Sequence, residues 1–141
     1  MLDREARNKG VRVISEFKNG AISNKEYERR YPTSAGDLAL AEIFNQIWFL
    51  YSDIRKHTLN GKYALNPENS ALVERCVLFL RSNAEFKWPP QRIHRWQAFL
   101  RIVGLGMKAA KSAMGDENIW PFFEKVEYEQ ALKDGSSVRK I

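Results

Sequence analysis

The chain has 141 residues, 44% hydrophobic and 12% aromatic, and 23 Lys/Arg against 17 Asp/Glu give a net charge of +6. That is enough apolar material for one folded domain burying about two-thirds of its unfolded surface, and too much for a disordered chain. A disulfide scaffold is excluded because Cys76 is the only cysteine, and no run reaches the ~20 apolar residues of a membrane span.

The opening MLDREARNKG has charges but no apolar run behind it, so it does not read as a secretory signal. A lone thiol on a core face suits a reducing compartment, and the expectation is a cytoplasmic protein. The basic excess is uneven: residues 67–112 hold eight Lys/Arg and three Asp/Glu, residues 113–141 four and six. The middle of the chain is where an acidic protein or a nucleic acid would find a basic surface. No Lys/Arg run exceeds two residues, so solvated helix faces explain the same charges.

In chain order, residues 2–18 space Ala6, Val13, Ile14 and Phe17 as a helix face, stopped by Asn19-Gly20. Ser23 is a good N-cap with Glu26 three residues on, and Ile22 and Tyr27 sit where a hydrophobic staple needs them. Residues 23–30 therefore read as a short helix ended by Tyr31-Pro32. The run Phe17-Lys18-Asn19-Gly20-Ala21-Ile22-Ser23 followed by Glu26-Tyr27-Glu28 resembles the SHOCT-type helical hairpin. That resemblance implies a contact or oligomerisation element over residues 2–31.

After a turn at residues 33–37 with several possible caps, residues 37–57 carry the clearest helical period. Leu40, Ala41, Ile43, Phe44, Ile47, Trp48, Leu50, Tyr51 and Ile54 fall on one half of the wheel. Phe49 stands alone on the polar half, either exposed, tucked under the N-terminal hairpin, or held for an intermolecular contact. Asn60-Gly61 makes a turn. Asn66-Pro67-Glu68 starts a helix over residues 67–83, with Leu72, Val73, Cys76, Val77, Phe79 and Leu80 on its apolar face. Five apolar residues from Cys76 also fit a buried strand, but the start signal favours helix. Residues 91–112 read as a central helix with a narrow polar strip. A last helix spans about residues 121–132, with Asp116 or Asn118 as cap, and residues 134–141 form a flexible tail. The fold expected is all-α, a single compact bundle of five or six helices over residues 1–133.

Chemistry is scarce. Gly104 and Gly106 form a G-x-G-x-x-A phrase, but no parallel βαβ pattern surrounds it, so close helix packing is the better reading. His57, near a helix C-terminus, and His94 lack metal-ligand spacing, and Glu127/Glu129 sit in a charged final helix. No catalytic, metal or cofactor residue is assigned. The pairs Tyr31-Pro32, Trp88-Pro89 and Trp120-Pro121 are structural corners or, if exposed together, a rigid contact patch. Basic and aromatic residues interleave from Lys87 to Arg101. The partner-binding candidates are Phe49, Trp88, Arg92, Arg95, Arg101 and Trp120.

Tyr31-Pro32-Thr33-Ser34 with Asp37, the run Ile47 to Ile54, the run Arg75 to Ser82 leading to Trp88-Pro89, and Trp120-Pro121-Phe122 together resemble small bacterial all-α proteins without a defined activity. Some of these are similar to immunity proteins that accompany secreted toxins. The resemblance implies a non-enzymatic protein-binding module, and carries over no functional residue. A nucleic-acid binder using Arg92, Arg95, Arg101 and Lys108 is the first alternative, and a small-molecule enzyme with an unrecognised site the second.

Overall fold

The computed structural model describes residues 1–88 and 117–139. Among them the chain is all α, with five α-helices, two 3-10 turns and no strand. Helix α1 (Arg4–Lys18) begins at Asp3, whose Oδ1 accepts the Ala6 N–H at 3.0 Å. It buries Val13, Ile14 and Phe17, the face its spacing predicts. At its end the Gly20 N–H donates to Phe17 O and the Ala21 N–H to Glu16 O, two bonds that require a left-handed residue between them. Gly20 supplies it at φ +77°.

Helix α2 (Asn24–Arg30) is capped by Ser23, whose Oγ accepts the Glu26 N–H at 3.3 Å. Ile22 and Tyr27 are buried as the staple. The helix stops at Tyr31, extended before Pro32. The Tyr31 hydroxyl then donates to Leu40 O at 2.7 Å, tying this corner to the next helix.

Helix α3 (Leu38–Trp48) is capped by Asp37 and buries Ala39, Leu40, Ile43 and Ile47. It is shorter than the periodicity predicts. Residues 49–57 leave the helix although their apolar spacing continues, so His57 sits on a loop and not at a helix end. Leu50 and Tyr51 pack partly against the core, whereas Ile54 is 90% exposed and Trp48 is 38% exposed. The Asn60-Gly61 turn opens into a 3-10 turn, Gly61–Tyr63.

Helix α4 (Pro67–Arg81) starts as its sequence signal requires. Asn66 Oδ1 accepts the Asn69 N–H at 2.7 Å, with Pro67 at the first position. Val73, Cys76, Phe79 and Leu80 face inward, and the strand alternative is excluded. Helix α1 lies against α4, α2 and α3, while α4 also meets α3 and the last helix. Between α1, α2 and α3, Tyr27 stacks on Phe17 at 4.7 Å and on Phe44 at 5.4 Å.

The last helix, α5 (Lys125–Arg139), differs from its expected span at both ends. It starts later because Ile119 and Phe122 are buried in a corner that follows the 3-10 turn Glu117–Ile119. Asn118 lies in that turn and does not cap α5. The helix continues through residues 134–139, expected as a flexible tail. Gly135 explains how, because a Cβ there would press to 3.3 Å from Leu78 Cδ1 on α4. Close docking on α4 overrides the weak helix propensity of Gly135-Ser136-Ser137. The helix expected over residues 91–112, with Gly104 and Gly106, lies outside the described residues.

Candidate functional site

The loop after α3 is organised by two polar residues on different elements. Asn24, the first residue of α2, is fully buried. Its Oδ1 accepts the His57 N–H at 3.0 Å, and its own N–H donates to His57 O at 2.9 Å. Its Nδ2 donates to Arg55 O at 3.0 Å and reaches Ser52 O at 3.4 Å. The His57 ring stacks on Tyr63 at 3.8 Å with Nε2 2.8 Å from Ser52 O. Residues 52–57 thus form a tight turn closed from inside, with the His57 N–H and the carbonyls of Ser52, Arg55 and His57 all bonded. Such an exchange of hydrogen bonds outweighs the helical period of residues 49–57, which is why α3 ends early.

Outside this lock the surface is apolar and basic. Phe49, the α3 C-cap, is 59% exposed, and its ring meets Trp48 edge-on at 5.4 Å. Ile54, Arg55 and Lys56 are exposed at the tip of the turn. Asp53 is held from the other side by Lys25 at 2.7 Å. Ile54 is therefore anchored through both neighbours, Asp53 by an ion pair and Arg55 by its carbonyl, yet has its side chain in solvent.

The remaining expected contact residues fall elsewhere. Trp88 is 3% exposed and donates its indole N–H to Phe122 O at 3.1 Å. Trp120 is half-buried against Phe86, with its carbonyl taken by Arg75 Nε at 3.1 Å. With Tyr31 also buried, the aromatic–proline pairs are corners, and they do not assemble into an exposed patch. Arg92, Arg95, Arg101, Lys108 and His94 lie outside the described residues. Among the described candidates, Phe49 is the one left largely in solvent.

Burial keeps the thiol and two of the phenols in the core in their neutral forms. Burial pushes the Cys76 thiol up to about 12, and pushes the Tyr27 and Tyr31 phenols well above their usual range. These groups stay uncharged and structural. Among the described residues no three His, Cys, Asp or Glu side chains gather as metal ligands, and no helix is long and apolar enough to cross a membrane.

Sequence reasoning missed two relationships. Asn24 carries no periodic signal, because its partners are loop carbonyls thirty residues away. Arg7 has a signal: it is a cation within the turns of α1 that carry the core face, and its counter-charge is the Asp37 cap. No protein-family model, curated protein or solved structure matches this chain.

Proposed function

We propose that this chain is a non-enzymatic protein-binding module of a bacterial cytosol, of the kind that serves as an immunity-type inhibitor. The observation that carries this reading is the exposed aromatic step of Trp48 and Phe49 at the end of a packed helix. Large aromatic rings on rigid supports supply contact area at little conformational cost, and a few of them dominate interface energies. The SHOCT-like hairpin adds a second element suited to contacts between proteins.

Two measurements test the reading. The full chain, immobilised, is used to capture proteins from its host's cytosol, in parallel with Phe49→Ala. A partner retained by the parent chain and lost with the variant supports it. Co-expression with each toxin encoded beside the gene is the second. No rescue from any toxin, together with no retained partner, removes the proposal.

A further inference from the structure

We infer that the surface from Trp48 to Lys56 docks an acidic protein segment built around a bulky apolar side chain; this deepens the binding-module reading and rests on it. Three observations converge on it. Trp48, Phe49 and Ile54 expose apolar surface at 38%, 59% and 90%. Both stretches are tethered: Trp48 and Phe49 end and cap α3 and the turn is closed by Asn24 and His57. The exposure is thus a property of a fixed surface and not of a loose segment, and a preformed surface binds without an ordering penalty.

The third observation is charge. Three other cations are already paired: Lys18 with Glu74, Lys25 with Asp53 and Arg30 with Glu16. Arg55 and Lys56, both exposed, have no ion-pair partner among the described residues. Exposed apolar side chains followed within a few residues by two cations without an ion-pair partner match a partner of opposite charge that carries its own apolar anchor.

The number of cations selects the class of partner. An anionic lipid surface gains about fivefold in binding per cation near it, and two do not give stable anchoring. A duplex binder that makes roughly six to ten phosphate contacts needs more than the two unpaired cations described on this surface. Two charges with a few exposed apolar side chains are ordinary for a protein contact, where the charges set orientation and on-rate and the rings hold the complex.

The test uses the full chain and a library of random twelve-residue peptides displayed on phage. Enriched peptides carry Asp or Glu beside an aromatic or aliphatic residue. The tightest of them, made synthetically, binds at least about tenfold more weakly to Phe49→Ala and to the double variant Arg55→Glu/Lys56→Glu, and more weakly as salt is raised. These side chains are exposed, so unchanged thermal midpoints confirm that both variants fold. Enrichment of neutral or basic peptides, binding indifferent to both variants, or no enrichment at all overturns the inference. It is equally overturned if the variants instead abolish binding to phosphatidylserine vesicles or to oligo-dT, or dissolve a self-association seen by sedimentation. A cytosolic partner retained equally by parent and variants removes this surface while leaving a binding module in place. A failed capture with no toxin rescue removes the module itself.

Discussion

Arg7 and Asp37 form a two-pronged ion pair inside the protein, with Nε 2.6 Å from Oδ2 and Nη2 3.1 Å from Oδ1. Their side chains are 1% and 3% exposed. The same guanidinium donates to Ala84 O at 2.8 Å and lies 5.1 Å from the centre of the Phe79 ring. Arg4, one turn earlier, donates to Leu80 O and Ser82 O at 2.8 and 2.6 Å. Two cations of α1 thus take carbonyls at the end of α4, where partial negative charge collects. Asp37 in turn caps α3 and accepts the Asp3 N–H at 3.0 Å. One carboxylate joins the starts of α1 and α3 to the end of α4.

Removing one partner of a buried pair strands the other's charge, which costs about 3–5 kcal/mol. Asp37→Ala therefore lowers stability by about that amount, with the lost cap included. Urea unfolding of parent and variant measures it. A loss under about 1 kcal/mol would show that water reaches Arg7 and replaces the carboxylate.

Acid should expose the same pair. Burial raises the Asp37 carboxyl, but the hydrogen bonds from Arg7, the Asp3 N–H and the Ala39 N–H outweigh it and hold the group below its usual 3.8. The folded protein therefore binds this proton more weakly than the unfolded chain. The stabilisation is complete above 3.8 and fades as pH falls through the lower folded value. Asp3, held down by the Ala6 N–H and the Ser34 hydroxyl, acts in the same direction. The urea midpoint of the parent falls more steeply between about pH 5 and pH 2 than that of Asp37→Asn, and parallel curves would refute the assignment.

Asn24→Ala removes the clamp on the turn after α3. The buried His57 N–H loses its acceptor and the part-buried Arg55 carbonyl its donor, while Ser52 O keeps His57 Nε2, at about 1–3 kcal/mol for a buried group left unsatisfied. Hydrogen exchange speeds up in residues 50–58 before any other segment, while helical circular dichroism stays unchanged. Uniform acceleration across α1 and α4 would mean that the residue supports the whole core.

Cys76 is fully buried and its thiol is pushed up to about 12. Iodoacetamide at pH 8 leaves the folded protein unmodified and alkylates it in concentrated urea, since the thiolate is the reacting form. Rapid native labelling would mean that the interface of α4 opens often.

Gly20→Ala places a Cβ at φ +77° and against the Asn60 side chain. The backbone strain costs about 1–2 kcal/mol. Adding Asn60→Ala relieves the contact but not the backbone strain, so the double variant stays less stable than Asn60→Ala alone. Full recovery in thermal melts would place the whole cost in the side-chain clash.

Helix starts and stops are legible in the sequence wherever their cause is local. Ser23 with Glu26, Asn66 with Pro67, and Gly20 act on N–H and C=O groups within a few residues, and each does in the fold what its chemistry requires. The α4 core face is legible for the same reason. Phe49 is visible as an apolar residue out of phase. Ile54 is not, because it is in phase with a helix that stops six residues before it. Trp88 looks like a contact residue from its proline and basic neighbours, and its burial depends on the carbonyl of Phe122, which arrives from another part of the chain.

Residue order alone settled the helical class, the caps of α2 and α4 and most inward faces, since those follow from bonds and periodicities spanning one or two turns. Contacts between distant segments decided the length of α3, the burial of Arg7 and Trp88, the extension of α5 along α4, and the outward turn of Ile54. In each case a local preference worth tenths of a kcal/mol per residue met a buried polar group or a close helix contact worth several times more, and the long-range contact prevailed.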